Sequence, residues 1–523
     1  MPAPGRPVAG FSRGVTAFDD VRAWAAARSA GAPPDYPPLV WVAAPTIVRG
    51  ATLAPDGRTL ATADGPLAAA PVPKIPLNRS YWDASTVAWF GAPGRRITVR
   101  GVAVGNSMVV RTAWPDDFTL GGIAPPLAPA ATDSGAAGAE SARSGEADAE
   151  PPRTAPTWTP DGRQDSAHAK ALRALMRELP DGGARAPYAA MTLWQRPGAS
   201  DDWTGRTVLA FVVDGAQGDD DEAHGGHFAI ATGRIRADGA IGDWLVNNFY
   251  SLDIESEKGI LAAPVPLDNY LGDLNSGQGW YRPSYIVVAV LNDARAAELV
   301  QSALGRVYQQ FWRHQLVYYH PTDNCTSISV DTLRALGLRV PERGPTSRLA
   351  AWAGFPFHVV KERSIDKAKL SFDYLVADQT RLMPAAAVEE IYALLRGLGE
   401  GRATTAGDGA KDGTLAALLA ADLDAIAFLR LPQFPSSRAF GAAPAVTTWE
   451  YRSRVPDDPA LAQIVPVPPR PFPAALRDDD LLPPPPHPSR TAALVWGAVS
   501  VIGLPWVVLS LWRRWRSRGG ANR

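Results

Sequence analysis

The sequence predicts an α+β fold, with a β-rich region ahead of the main domain and one transmembrane helix near the C-terminal end. Three observations carry this. Short β-branched and aromatic runs such as PLVWVAAPTIV and TVLAFVVDG occur beside stretches of helical spacing such as DARAAELVQSALGRVYQQFWRHQ. Two segments, one poor in large apolar side chains and one rich in proline, divide the chain into parts. Residues Thr491 to Trp512, TAALVWGAVSVIGLPWVVLSLW, run for 22 residues without a charge, enough for a helix to cross a hydrocarbon core of about 30 Å.

Residues 1–125 form the β-rich N-terminal region. PLVWVAAPTIV, GRRITVRGVAV and SMVVRTAW are strand-like runs bounded by Gly, Pro and Asn, and no catalytic constellation occurs among them. Residues 126–157, rich in Ala, Ser, Gly, Glu and Pro, read as a disordered linker, because they bury too little surface to offset ordering entropy.

The main domain spans 158–400. DSAHAKALRALMREL has helical spacing, TVLAFVVDG is a strand, and HFAIATGRI with GDWLVNNFYSL reads as a hairpin around Asp238-Gly239. YIVVAVL is a further strand, followed by a helix capped by Asn292 or Asp293. A loop then leads to a short helix ending at Gly337, and residues 385–398 form another amphipathic helix.

Residues 401–455 read as a helical or irregular extension. In 456–490, PVPPRPFP and LPPPPHP favour a stiff polyproline II stalk. Residues 491–512 are the transmembrane helix, with Trp496 and Trp512 placed as interfacial aromatics, and 513–523 is a basic tail. Orientation signals conflict. Arg513, Arg514, Arg516 and Arg518 predict a cytoplasmic tail and so an external body, whereas MPAPGRPVAGFSRGVTAFDD has no apolar signal-peptide core. A tail-anchored body in the cytoplasm and a different start both remain open. The expected location is the cell membrane, through a single-pass C-terminal anchor.

Charge excludes one class of function. With 52 Lys+Arg against 53 Asp+Glu, and no basic stripe outside the tail, the chain does not read as a nucleic-acid binder.

The single cysteine, Cys325, follows Asp323 and Asn324, both good N-cap types, so it is predicted in the first turn of a helix. There the helix dipole and free N–H groups favour a thiolate. The plainer reading is a small buried hydrophobe. His227 in AHGGHFAI is the best candidate base, at the start of a strand, with His224 as the fallback. With a two-residue turn at Asp238-Gly239, paired positions sum to 477. Asn248 then shares a face with His227 and would orient the ring; a three-residue turn would present Asn247 instead.

GHFAIATGRI, followed about a hundred residues later by YYHPTDNCTSISVDTLRALG, resembles the Lnb N-terminal periplasmic domain family. It is also similar to the wider group of circularly permuted papain-like proteins of NlpC/P60 type. Gly226-His227 and Asn324-Cys325-Thr326 match the motifs, with Tyr318 and Tyr319 as the aromatic lead, and the resemblance covers about residues 190 to 345. It departs in lacking a signal peptide and in the acidic run Asp219-Asp220-Asp221-Glu222. The resemblance implies a papain-like domain in which Cys325 attacks a carbonyl, His227 moves the proton, and the Cys325 N–H helps hold the oxyanion. The substrate would be an amide or ester, such as a cell-wall peptide or a lipid-linked acyl group, with no cofactor. Two rivals stand beside it. One is a metal hydrolase using Asp219, Asp221, Glu222, His224 and His227. The other is a membrane-tethered scaffold without activity.

Overall fold

A computed structural model describes residues 15–29, seven strands between 39 and 111, and residues 167–216, 225–250, 264–272, 282–312, 316–401, 414–433 and 441–454. The linker 126–157, the acidic run with His224, the stalk, the uncharged run 491–512 and the basic tail lie outside these residues. Among the described residues no helix is long and apolar enough to cross a membrane.

The chain is mixed helix and strand, and its main sheet is antiparallel throughout. Helix α1 (Val15–Ser29) precedes strands β1 (Leu39–Val42), β2 (Thr46–Ile47), β3 (Ala51–Leu53), β4 (Thr59–Thr62), β5 (Arg96–Thr98), β6 (Arg100–Val104) and β7 (Ser107–Arg111). These pair as β2-β1-β7-β6 and β3-β4-β5. Helix α2 (Ala167–Arg177) leads to β8 (Ala189–Gln195), β9 (Thr207–Asp214), β10 (His227–Arg234), β11 (Leu245–Asn247) and β12 (Pro264–Pro266). Then follow α3 (Leu267–Gly272), β13 (Ser284–Leu291), α4 (Arg295–Trp312), α5 (Cys325–Ala335), α6 (Arg348–Glu362), α7 (Ile365–Val376), α8 (Gln379–Leu382), α9 (Pro384–Gly399), α10 (Leu415–Asp422), β14 (Leu423–Leu431) and α11 (Thr448–Arg454). The main sheet has the order β12-β11-β10-β9-β13-β14-β8.

Its centre is buried on both faces. Every residue of β9, β13 and β14 is buried, as continuous apolar runs require when helices cover a sheet. Helix α4 packs on β9 and β10, and α9 packs on β9, β13 and β14. Of the two candidate caps for α4, Asp293 accepts the Arg295 N–H, while Asn292 donates to Asp424.

Two features depart from the sequence reading. Within 1–125, α1 is a helix that docks on α4. Its Asp20 accepts from Arg306 Nε at 2.6 Å and from Gln310 Nε2 at 2.6 Å, and Phe18, Val21 and Trp24 are buried. Within 401–455, β14 is a strand of the main sheet, between β13 and β8. LDAIAFLRL is a short apolar run, and its periodicity does not separate a buried strand from a buried helix.

Two compact units are present. The first comprises Met1–Thr346 and Ala377–Leu482 and holds the sheet; the second comprises Ser347–Val376 and Pro483–Arg523. Within the described part of the second unit, α6 and α7 form an antiparallel hairpin. It is closed by Ala351, Ala368 and Leu375, which are buried, and by edge-on contact of Trp352 and Phe372 at 5.0 Å.

Candidate functional site

Strand β10 begins at His227 because Gly226 lets it. Gly226 has φ +86°, and a Cβ there would stand 2.6 Å from the Asp214 carbonyl oxygen and 2.9 Å from Pro444 Cβ. Only glycine fits, in conformation and in space. The strand then pairs with β9 so that His227 lies opposite Asp214.

Register across the hairpin follows the predicted sum of 477: Ile230 pairs with Asn247, Ala231 with Val246 and Thr232 with Leu245. The connection is longer than a two-residue turn, since β10 ends at Arg234 and β11 starts at Leu245, but its parity is the same. This parity separates the two asparagines. Asn248 Oδ1 lies 2.7 Å from His227 Nε2 in a buried pair. Asn247 belongs instead to an internal network. It donates to Ile230 O at 3.1 Å and to Gln301 Oε1 at 2.8 Å, and Gln301 also takes the Thr232 hydroxyl at 2.7 Å. Asn247→Ala is expected to destabilise the fold by about 1–3 kcal/mol in a denaturant melt, because it strands the buried Gln301 amide.

An amide oxygen only accepts, so with the Asn248 amide placed this way Nε2 of His227 carries the proton and Nδ1 keeps its lone pair. Asn248 is held in turn, its carbonyl accepting the Tyr308 hydroxyl at 2.7 Å while Tyr308 stacks on Phe249.

Cys325 is the first residue of α5, as the capping pattern predicts. Asn324 Oδ1 accepts from the N–H groups of Thr326 and Ser327, both at 2.9 Å, and Ser327 Oγ accepts the Asn324 N–H at 2.7 Å. The Cys325 sulfur lies 3.8 Å from Thr326 Oγ1, and the backbone N–H groups of Phe228 and Thr326 act on it electrostatically. The thiol therefore sits against the peptide that joins His227 to Phe228. The Cys325 N–H has no hydrogen-bond partner among the described residues.

The expected resting thiolate is not what this environment favours. Cys325 and His227 are both buried. Burial pushes the thiol above its ordinary value, against the pull of the Phe228 and Thr326 N–H groups and of Arg282. Burial also brings the imidazole down to about 3, assisted by the positive charge of Arg282 and opposed by the bond to Asn248. The Asn324 cap engages the N–H groups of Thr326 and Ser327 at the same helix start. The pair rests as neutral thiol and neutral imidazole, which suits proton transfer during attack rather than a preformed ion pair.

Four further residues surround this pair, and the sequence reading missed them. Asp214, fully buried, accepts from Tyr270 Oη at 2.7 Å and from Ser284 Oγ at 2.8 Å. Arg282, also buried, exerts its charge on Asp214, His227, Tyr270 and Cys325. Since His227, Asp214 and Ser284 are directly opposed on β10, β9 and β13, they line one face of the sheet. A charged residue ending the wholly apolar strand TVLAFVVD was the available signal. Burial raises the Asp214 carboxyl, against the pull of Arg282 and its two hydroxyl donors.

Of the metal-site residues, only His227 is among those described, and no group of three or more His, Cys, Asp or Glu suited to a metal occurs among the described residues. No protein-family model, no curated protein and no solved structure matches this chain.

Proposed function

We propose that this protein is a membrane-anchored thiol hydrolase or acyltransferase acting on an amide or ester bond. Cys325 serves as nucleophile, His227 as base and Asn248 as the residue that orients the ring. The observation that carries the reading is the Nε2–Asn248 bond of 2.7 Å. It leaves Nδ1 of a neutral imidazole with its lone pair, on the strand against which the helix headed by Cys325 packs. His227 removes the thiol proton as sulfur attacks the carbonyl, and the Cys325 N–H donates to the oxyanion. The same proton then goes to the leaving amine or alcohol, and a thioester remains on Cys325. Water or an acceptor nucleophile releases it.

The order of histidine strand before cysteine helix, on an antiparallel sheet, supports the permuted papain-like fold that the Lnb-type resemblance implies. The uncharged run 491–512 supports the membrane anchor.

The test is acylation by an activated aryl ester, located by peptide mass spectrometry. The wild type is expected to carry a hydroxylamine-labile acyl group on Cys325. Asn248→Ala is expected to acylate more slowly with the fold retained, whereas Asn247→Ala lowers stability without changing acylation per folded molecule. Acyl groups spread over lysines, or labelling indifferent to Asn248, would leave a tethered scaffold protein as the better description.

A further inference from the structure

Helix α6 has its polarity inverted. Its exposed large apolar residues are Leu349 at 82%, Trp352 at 45%, Phe357 at 64% and Val360 at 78%. Ala353 and Pro356 are exposed as well. These positions recur at spacings of three and four, so they form one stripe along the length of the helix. A water-facing stripe normally carries charge. Here charge appears only where the stripe ends, as Arg348 and Lys361, both exposed. The opposite face is already used, since Ala351 is buried and Phe355 meets Phe372 of α7, while Trp352, at the edge of the stripe, touches Phe372 as well. Helix α6 is thus apolar on two faces, and α7 covers one.

We propose that the α6–α7 hairpin is a docking element for an anionic lipid surface, with α6 lying in the plane of the interface. Composition and charge select this occupant. A stripe that contains Trp and Phe, runs parallel to the helix axis and is flanked by Arg and Lys is the pattern of an interfacial helix. Its apolar side chains enter the headgroup–acyl boundary by about 5–10 Å, while the cations at either end reach phosphate. The hairpin Ser347–Val376 carries five Lys and Arg against three Asp and Glu, in a chain with 52 against 53, so it is locally cationic and complementary to anionic headgroups. A second copy fits poorly. Antiparallel pairing of two α6 stripes would bring Arg348 of one against Lys361 of the other, setting like charges at both ends of the contact.

The experiment uses the full chain with Cys325 replaced by Ala and a single cysteine introduced at Phe357, labelled with a polarity-sensitive fluorophore. Because the readout is local to α6, it does not depend on whether the 491–512 run also enters the bilayer, nor on whether the chain is a hydrolase. With vesicles of mixed phosphatidylcholine and phosphatidylglycerol, the probe is expected to shift to the blue, lose iodide quenching and become quenched by spin labels on the acyl chains. A probe at Asp201, an exposed residue of the first unit, should show none of these. Arg348→Glu with Lys361→Glu should reduce the fraction of Phe357 probe that shifts, most strongly at low salt. A Phe357 probe that stays open to iodide on these vesicles overturns the proposal. So does one that becomes protected without lipid as protein concentration rises, which would assign the stripe to a second copy.

Discussion

Replacing His227 with alanine is expected to slow acylation of Cys325 by about 10²–10⁴-fold, the range that a positioned general base supplies. The argument rests on the resting state. Burial holds the thiol protonated and the imidazole neutral, so there is no standing thiolate to attack without help. The loss should fall on acylation itself, because in the proposed mechanism the imidazole acts on the reacting proton.

The pH dependence has a distinctive form. A base whose conjugate acid is held down at about 3 remains neutral far below the ordinary histidine range of about 6.5. The acylation rate of the wild type should therefore stay level from about pH 8 to about pH 5, where an unperturbed histidine would already have lost most of its function. An acid limb near pH 6.5 would contradict the assignment. Stability follows the same group. The folded value is depressed, so the unfolded chain takes the proton first. The stabilisation is complete above about pH 6.5 and declines as pH falls toward about 3, by roughly 1.4 kcal/mol per pH unit. Asp214, raised by burial, acts in the opposite sense: above the ordinary carboxylate value, up to its raised one, the folded state takes the proton first and stability rises as pH falls. Urea melts at about pH 7 and about pH 5 should show the wild type losing about 2 kcal/mol more than His227→Ala.

Glu389→Ala is expected to destabilise the first unit by about 3–5 kcal/mol, the cost of removing one partner from a buried ion cluster. Glu389 on α9 is fully buried. It accepts from Arg173 Nε at 2.8 Å on α2 and from Arg343 at 2.7 Å, and Arg343 Nε also reaches Glu390 at 2.8 Å. Removing the carboxylate leaves Arg343, itself buried, with only one of its two acidic partners, and takes away the carboxylate bonded to Arg173. Glu389→Gln keeps the shape and one acceptor but loses the charge, and should fall between the wild type and alanine. Chemical denaturation monitored by far-UV circular dichroism measures the difference. An alanine variant as stable as wild type would show that the guanidinium groups find water when the carboxylate is gone.

Local physics was legible in the sequence. The N-cap types Asp323 and Asn324 placed Cys325 at a helix start, because a cap is a local property of the chain, and the structure adds Ser327 as the reciprocal partner of Asn324. The register sum of 477 came from a two-residue turn placed at Asp238-Gly239; the actual connection is longer but keeps the same one of the two parities that a period of two permits. That choice put Asn248 beside His227. The strand Leu423–Leu431 was hidden, because a buried run in the middle of a sheet has no polar face to alternate with.

The electrostatic character of the site was decided only by the tertiary structure. A helix start by itself favours a thiolate, and sequence reasoning stopped there. Folding adds two long-range terms that no local pattern encodes: the loss of water around Cys325 and His227, and the arrival of Arg282 from a segment more than forty residues away from either. Desolvation opposes every charge placed in the site, and here it is the largest influence on both groups. The order of residues thus determined which groups meet, and the depth at which they meet determined where the proton rests.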